Sequence, residues 1–490
     1  MSFKQNFLWG TSISAAQSEG AWNIGGKSPI LLDYATSGNP TTNSRTIHFI
    51  DENGNRSQMP MMVSTKIPKG AKLEIFNDLY YANHNASDFY HHYKEDITLM
   101  SEMGFSTFNT SISWARIFPY GIEGGINQEG VEFYRNVFTE CKKHNINPII
   151  TLYKYDEPVY FMEKYGGWTN KEMINQFVEF ARVCFTEYKG LVTKWVTFNE
   201  INMLLANTIT GHLETEEEPN QKYIEVHNQM IAAAKVVKLG HEIDGNNLVG
   251  CMICGLCNYP LTSDPYDVME TYKRFQDEFC YCADTMMRGS YPGFVKRIWK
   301  ENNVDLKITE EEKVILKEGI ADFLAFSYYM SFCVTTHEDA ESSQGNIFQG
   351  VKNPYLEFPS WGWSIDSIGF RYFLNFLYDR YQKPLFVIEN GLGAYDKEED
   401  GKIHDPYRID YLRSHISEMK KAVEEGVDVM GYTTWGGFDL VSASTGQMAK
   451  RYGLVYIDMN DEGNGDFHRS KKDSFYWYKK VIKSNGEDLK

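Results

Sequence analysis

The chain has 490 residues, a formal net charge of −17 and no block of five or more like charges. Because the phosphates of a nucleic acid repel an acidic surface that lacks a basic patch, this composition argues against a nucleic-acid partner. Residues 1–7 lack the apolar core of a secretory signal, and no apolar run reaches the roughly 18 residues of a membrane span. We therefore expect a cytoplasmic protein with no membrane partner.

Strand-like and helix-like segments alternate along the whole chain, which is the pattern of parallel βαβ units. Strands are predicted at 7–13, 107–114, 148–153, 195–200, 248–253, 323–329, 385–389 and 427–434. Helices are predicted at 87–103, 128–144, 171–188, 223–243, 370–381, 408–424 and 474–483, with further helical stretches up to about residue 317 after the fifth strand.

Eight strand–helix pairs without a Gly/Ser-rich or Pro-rich linker predict one α/β domain over residues 1–490. The expected fold is a (β/α)8 TIM barrel with extended active-site loops, a class that exceeds about 400 residues when its loops carry insertions. The longest insertion is segment 34–86. With segment 203–222 it is expected to shape the mouth of the site.

Eight cysteines in a chain of this length are too few for a disulfide scaffold. Cys251, Cys254 and Cys257 form a C-x-x-C-x-x-C run, but the next cysteines, Cys280 and Cys282, do not supply a fourth ligand at cluster spacing. The run lies in a predicted strand, where small thiols are usually core residues. We therefore predict neither a metal site nor a cofactor.

Two glutamates each close a predicted strand. Glu200 ends the run WVTFNE at 195–200, and Glu389 ends the run LFVIE at 385–389. In a barrel of parallel strands the carboxyl ends form the active-site face, so two carboxylates there can converge on one pocket. Such a pair can cleave a glycosidic bond, with one carboxyl group acting as acid and base and the other as nucleophile.

Three motifs resemble signatures of glycoside hydrolase family 1, and the resemblance covers essentially the whole chain. They are FLWG at 7–10 with QSEG at 17–20, TFNE at 197–200, and IENG at 388–391. The resemblance implies a retaining mechanism, in which Glu389 attacks the anomeric carbon and Glu200 acts as acid and then as base. Retention requires carboxyl groups about 5–5.5 Å apart and a raised pKa for Glu200.

The same resemblance implies the residues that bind the sugar. Asn199 is expected to bind the 2-hydroxyl, and Tyr329 to contact the nucleophile. Gln17 and Trp435 match sugar-binding positions of the subsite at the nonreducing end.

The segment after the eighth strand carries the specificity signal. Ordinary β-glucosidases of the family have a Glu-Trp pair where this chain has Ser442 and Ala443, and that glutamate would repel a phosphate. Downstream, Ser444, Lys450 and Tyr452 match the set that binds the 6-phosphate in the phospho-β-glycosidases. Hydroxyl donors and an ammonium suit a phosphate dianion. Whether Ser442, Ser444 or both reach the phosphate is left open.

Ala443 is typical of the phospho-glucosidase branch, whereas the phospho-galactosidase branch keeps tryptophan there. We therefore expect hydrolysis of small phosphorylated β-glycosides, namely 6-phospho-β-D-glucosides, to glucose 6-phosphate and an aglycone. The alternatives are a 6-phospho-β-galactosidase, an unphosphorylated β-glucosidase, and a phosphoglycoside-binding protein without hydrolytic activity. The sequence leaves a homo-oligomer open.

Two positions depart from the family pattern. Asn109 stands where an arginine usually contacts the nucleophile, and Lys154 replaces a sugar-binding histidine on the adjacent strand. A neighbouring cation can lower the pKa of a carboxylate by about 1–3. Our hypothesis is that Lys154 replaces the missing arginine and keeps Glu389 ionised. The competing interpretation is a site that has drifted toward slow hydrolysis, an altered sugar or binding alone.

Overall fold

The computed structural model describes residues 3–38, 44–61, 65–205, 211–213, 221–338, 340, 342–344, 349–359 and 361–490. Its centre is a closed barrel of eight parallel strands. These strands are β1 (Leu8–Ser12), β2 (Thr107–Ser111), β3 (Asn147–Tyr153), β4 (Lys194–Phe198), β5 (Leu248–Cys254), β6 (Leu324–Ser327), β7 (Leu385–Asn390) and β8 (Val429–Trp435). Each strand pairs with its neighbour in sequence, and β8 closes on β1 with Leu8 opposite Gly431. The predicted (β/α)8 barrel is confirmed.

Helices follow the strands and surround the barrel. The longer ones are Phe89–Met103, Gln128–Lys143, Glu172–Glu187, Gln221–Ile243, Pro265–Phe275, Tyr281–Arg288, Glu310–Glu318, Ser367–Tyr381, Pro406–Glu424 and Asp473–Lys483. The shorter ones are Ala15–Ser18, Ala82–Asn85, Trp114–Ile117, Gly121–Gly124, Val159–Tyr165 and Val295–Glu301. Among the described helices, none is both long and apolar enough to cross a membrane.

Several predicted boundaries differ from the structure by one to three residues; the fourth strand, for example, ends at Phe198 instead of residue 200. The second strand was expected to reach residue 114 but ends at Ser111, because Trp114 begins a helical turn and packs against the ring of Phe180 with 5.3 Å between centroids. The sixth strand ends at Ser327 instead of residue 329. The first long helix begins at Phe89 instead of residue 87, since Ser87 donates its hydroxyl to the Asp439 carbonyl at 2.6 Å.

The core has an inner and an outer part. Alternate strand residues, among them Ile149, Val196, Met252 and Phe386, form a fully buried apolar cluster within the barrel. A larger cluster joins the outward-facing strand residues to the surrounding helices. All eight cysteines are buried and free. Of the C-x-x-C-x-x-C run, Cys251 and Cys257 lie in the large apolar cluster, as predicted, and Cys254 is the last residue of β5.

Segment 34–86 forms a small antiparallel sheet at the mouth of the barrel. Its strands are Ala35–Thr36, Thr46–Ile50, Arg56–Pro60 and Lys72–Leu73, while Thr65–Ile67 pairs with Gly211–Leu213. The sheet supports the segment after β8, since Gly38 N donates to Thr445 O at 2.7 Å and Ser37 Oγ to Gly446 O at 2.6 Å. Residues 39–43 and 62–64 of this predicted mouth loop, and 206–210 and 214–220 of the second, lie outside the described residues.

Further strands lie outside the barrel. They are Cys257–Pro260, Ser331–Val334, Ser342–Gln344 and Gln349–Val351 in one sheet, and the pairs Glu398–Glu399 with Lys402–Ile403 and Val455–Ile457 with Arg469–Lys471.

Candidate active site

A pocket opens at the carboxyl ends of the barrel strands. All the predicted site residues except Lys450 line it: Gln17, Lys154, Asn199, Glu200, Tyr329, Glu389, Trp435, Ser442, Ser444 and Tyr452. Ala443, which the sequence interpretation used for the choice of sugar, also lines it, and the rest of the wall was not predicted: Ala16, Leu32, Tyr155, Met203, Cys254 and Trp363.

Glu389 lies near the end of β7 and receives a donor at each carboxylate oxygen. Lys154 Nζ is 2.5 Å from Oε1, and the Tyr329 hydroxyl donates to Oε2 at 2.7 Å. Lys154 follows β3 and is as deeply buried as Glu389, with 4% of each residue exposed. Its ammonium also lies 4.4 Å from the ring centroid of Trp435. Glu389 is therefore held in an orientation that both contacts fix.

Asn109, at the position of the usual arginine, contributes to the barrel wall. Its Oδ1 accepts a hydrogen bond from Ser12 Oγ at 2.7 Å, and its Nδ2 donates to Ile149 O at 2.9 Å and Thr151 Oγ1 at 3.2 Å. These bonds join β1, β2 and β3. Within the described ranges, the cation in contact with Glu389 is therefore Lys154.

Glu200 lies two residues beyond the end of β4 at Phe198 and has a left-handed backbone, with φ of 45°. This conformation is strained for a residue other than glycine and often marks a functional site. Ser327 Oγ, at the end of β6, donates to Glu200 Oε1. The Asn199 N–H donates to Tyr153 O at 2.8 Å, which ties the segment to β3.

The pKa of Glu200 is raised to about 7, chiefly by burial and then by the negative charge of Glu389. The hydrogen bond from Ser327 and the charge of Lys154 act in the opposite direction. A carboxyl group with this pKa is partly protonated at neutral pH, as a general acid must be. Glu200 and Glu389 are thus close enough for the charge of one to raise the pKa of the other. Their environments differ, because Glu389 contacts a cation and Glu200 a neutral hydroxyl.

Ser442 and Ser444 lie on one turn after β8, with their hydroxyl oxygens 3.5 Å apart. Gln17 supports this turn from the short helix Ala15–Ser18, because its Nε2 donates to Val441 O at 2.7 Å. Its Oε1 accepts from Ser14 Oγ at 2.8 Å. The amide of Gln17 therefore holds the pocket wall and presents its remaining N–H.

Lys450 lies beside the pocket instead of on its wall. Its ammonium is 4.2 Å from the ring centroid of Trp363, 4.9 Å from that of Trp361 and 5.8 Å from that of Tyr452. Only 1% of the residue is exposed, and burial lowers the pKa of Lys450 to about 7. A cage of aromatic rings thus holds a cation directly behind Trp363 and Tyr452, which both line the pocket.

Four buried polar atoms at this site form no hydrogen bond with any residue that the structure describes. They are Asn199 Oδ1, Trp361 Nε1, Trp363 Nε1 and Lys450 Nζ. Buried polar groups are normally paired, and each unpaired one costs about 1–3 kcal/mol. Their presence around one pocket fits a ligand with several hydroxyl or anionic groups.

The sequence interpretation missed two groups that contribute to this geometry. The first is Ser327, which directly precedes the Tyr328-Tyr329 pair. A hydroxyl residue at the end of β6 could have indicated a hydrogen-bond donor at the active-site face. Trp361 and Trp363 form a Trp-Gly-Trp run in a loop, and only their aromatic character pointed to a sugar site.

Comparison with known proteins gives a consistent result. The model of "Glycosyl hydrolase family 1" matches residues 1–53 and 71–487. The chain is 44% identical to "6-phospho-beta-glucosidase AscB" of Escherichia coli (strain K12), over 99% of both chains. It is also 44% identical to "Aryl-phospho-beta-D-glucosidase BglH" of Bacillus subtilis (strain 168), over 99% of this chain and 98% of the relative. Among solved structures, a beta-glucosidase of Thermotoga maritima in complex with glucoimidazole is 27% identical, with a TM-score of 0.78 and 99% of both chains covered.

Proposed function

Because the chain belongs to glycosyl hydrolase family 1, we propose that it is a retaining 6-phospho-β-glucosidase. It releases glucose 6-phosphate from phosphorylated β-disaccharides or aryl β-glucosides, with residues 1–490 acting as one catalytic domain. We place the reaction in the cytoplasm, because a phosphate dianion does not cross a bilayer unaided.

The observation that carries the phosphate assignment is the buried ammonium of Lys450. It has no hydrogen-bond partner among the described side chains and lies behind the pocket wall that Ser444 and Tyr452 share. A buried cation without a counter-charge is costly unless a ligand supplies the anion. The names of the relatives with 44% identity support the same substrate class.

The mechanism follows from the different surroundings of the two glutamates. Lys154 stabilises the carboxylate of Glu389, which attacks the anomeric carbon while protonated Glu200 gives its proton to the departing oxygen. The covalent intermediate consumes the charge of Glu389, so one of the causes that raise the pKa of Glu200 disappears. The pKa of Glu200 therefore falls, and Glu200 stays ionised after it has given up its proton. As a carboxylate it then acts as the base that accepts a proton from the incoming water.

The remaining pocket residues position the sugar. Asn199 Oδ1 accepts a hydrogen bond from the 2-hydroxyl of the sugar. A hydrogen bond at this position that strengthens in the transition state contributes most to catalysis. Gln17 and Trp435 bind the other end of the sugar, and Ser442, Ser444, Lys450 and Tyr452 hold the phosphate.

Three chromogenic substrates test the proposed function: p-nitrophenyl β-glucoside, its 6-phosphate, and p-nitrophenyl β-galactoside 6-phosphate. The phosphoglucoside should show the highest kcat/KM. Turnover of the unphosphorylated glucoside alone would overturn the phosphate assignment, and preference for the phosphogalactoside would overturn the choice of sugar. If none is turned over while the phosphoglucoside still binds by calorimetry, the protein is a binding protein.

Ser327→Ala should move the alkaline limb of the kcat/KM profile to higher pH. The hydroxyl of Ser327 stabilises the charged form of Glu200, so its loss raises the pKa of Glu200 above about 7 and keeps the acid protonated to higher pH. A hydrogen bond is worth about 1.5–3 kcal/mol with a charged partner and about 0.5–1.5 kcal/mol with a neutral one, and the difference of about 1–1.5 kcal/mol corresponds to about one pH unit. The profile is measured with a phosphorylated disaccharide, whose poor leaving group requires the acid.

Ser327→Thr is the matched control for this substitution, because it keeps the hydroxyl. Its alkaline limb should coincide with that of the wild type. An unchanged limb in Ser327→Ala would mean that the hydroxyl has no influence on the ionisation of Glu200.

A further inference from the structure

We propose that Arg45 is a specificity-determining residue for the sugar phosphate. Its buried positive charge lies against the back of the turn that carries Ser442 and Ser444 and favours a dianion on the pocket side of that turn. Arg45 itself does not line the pocket, so it acts through this turn and through its charge. The inference rests on the proposed function and names a residue outside every motif that led to it.

The contacts of Arg45 are all with neutral acceptors. Its Nη2 donates to Ser442 O and its Nε to Ala443 O, both at 2.8 Å. Its Nη1 donates to Asn83 Oδ1 at 2.6 Å, and Asn83 Nδ2 donates in turn to Ala16 O. The guanidinium is therefore fixed against two consecutive peptide groups of the phosphate turn.

Other buried arginines in this chain are paired with carboxylates. Arg116 lies 2.9 Å from Glu19 and Arg469 2.9 Å from Asp96, and Arg408 pairs with Asp396 and Asp405. Arg45 is only 1% exposed and forms no salt bridge with a carboxylate in the described part of the chain. The acidic group that acts on it, Asp33, is itself paired with Lys27 at 2.8 Å.

A buried cation without a carboxylate partner is costly, so the unpaired charge of Arg45 points to an anionic ligand nearby. Burial lowers the pKa of Arg45 only to about 9, and the guanidinium remains charged at neutral pH. Lys450 is a second buried cation at the same site that has no ion pair with any described residue. In a chain with a net charge of −17, two such cations provide the local positive field that a phosphate needs.

Arg45 also orients the peptide groups of the turn. In a trans peptide the N–H points away from the C=O, and Arg45 binds the carbonyls of Ser442 and Ala443. The N–H groups of Ala443 and Ser444 therefore point away from Arg45, and neither donates to another described residue. Successive N–H groups held in this way form an anion-binding arrangement next to the two serine hydroxyls.

The experiment compares Arg45→Gln, which keeps hydrogen-bond donors without the charge, with Arg45→Lys, which keeps the charge with different geometry. The readout is the ratio of kcat/KM for p-nitrophenyl β-glucoside 6-phosphate to kcat/KM for p-nitrophenyl β-glucoside. We expect Arg45→Gln to lower this ratio about tenfold, mainly by raising KM for the phosphorylated substrate. This magnitude is the one expected when a single charge acts on the phosphate across a few ångströms of protein. Arg45→Lys should keep the ratio within about threefold of the wild type.

Three outcomes separate this inference from its alternatives. A wild-type enzyme without phosphate preference overturns the proposed function, whereas a preference that survives in Arg45→Gln overturns the role of Arg45 alone. Equal losses on both substrates in Arg45→Gln would show a structural role and overturn it as well. If Arg45→Gln does not fold, Arg45→Lys decides: a preserved ratio supports the role of charge, and a lost ratio contradicts it. Asn83→Ala is the matched control, since it removes an Arg45 partner without removing charge, and its ratio should not change.

Discussion

Lys154→Met is expected to lower kcat for the phosphoglucoside about 10²-fold. Lys154 Nζ lies 2.5 Å from Glu389 Oε1 in a buried pair, and breaking such a pair by removing one partner costs about 3–5 kcal/mol. The hydrogen bond from Tyr329 to the other oxygen remains, so we expect the lower end of this range. About 3 kcal/mol corresponds to about 10²-fold in rate, which steady-state kinetics at neutral pH can measure directly.

The same substitution should move the alkaline limb of the pH profile to higher pH. The charge of Lys154 lowers the pKa of Glu200, so removal of that charge raises the pKa above about 7 and keeps the acid protonated to higher pH. A variant with a merely distorted site would lose activity without this displacement.

Two control variants separate charge from packing. Lys154→Arg keeps the cation and should retain more activity than Lys154→Met, with an alkaline limb close to that of the wild type. Lys313→Met removes an exposed ion pair with Glu310 and should leave the kinetics unchanged. If Lys154→Met kept the wild-type kcat and alkaline limb, Lys154 would not be the cation that supports the nucleophile.

A double substitution tests whether Lys154 replaces the family arginine. Asn109→Arg combined with Lys154→His returns both positions to the pattern that the resemblance describes. We expect the double variant to be more active than Lys154→His alone, because the cation would return from β2. Equal activity of the two variants would argue against an exchange of roles between these strands.

The barrel was predictable because several strands are buried on both faces and read as runs rich in apolar residues between amphipathic helices. Two of the boundary errors occur where aromatic residues continue the buried run beyond the end of a strand. Trp114 follows β2 and Tyr328 follows β6, and both are fully buried in structures other than strands. Burial alone does not distinguish a strand from a helical turn that covers the same core.

The two glutamates were predictable because each one closes a largely apolar run: Glu389 lies near the end of β7, and Glu200 lies two residues beyond β4. Ser327 and Arg45 were not, since their significance comes from partners far away in sequence. Ser327 meets Glu200 across the barrel mouth, and Arg45 reaches Ser442 from a separate sheet in segment 34–86. Sequence periodicity carries no information about such contacts, which exist only after closure of the barrel.

Lys450→Met should raise KM for the phosphoglucoside about 10²-fold and leave kcat/KM for the unphosphorylated glucoside unchanged. The ammonium is the buried cation beside Ser444 and Tyr452, and a hydrogen bond to a charged partner contributes about 1.5–3 kcal/mol. Lys450→Arg keeps the charge and should retain most of the phosphate preference. An unchanged KM in Lys450→Met would contradict the role of Lys450.

The pH dependence of KM provides a second test of the same residue. Burial lowers the pKa of Lys450 to about 7, so the free enzyme loses this cation as the pH rises through that value. A phosphate dianion favours the charged form and raises this pKa in the complex, so KM should increase with pH above about 7. The second pKa of a phosphate ester is about 6, and the dianion and the ammonium therefore coexist best between about pH 6 and 7. Lys450→Arg stays charged over this range, so its KM should not rise above pH 7, and an identical rise in that variant would assign the titration to another group.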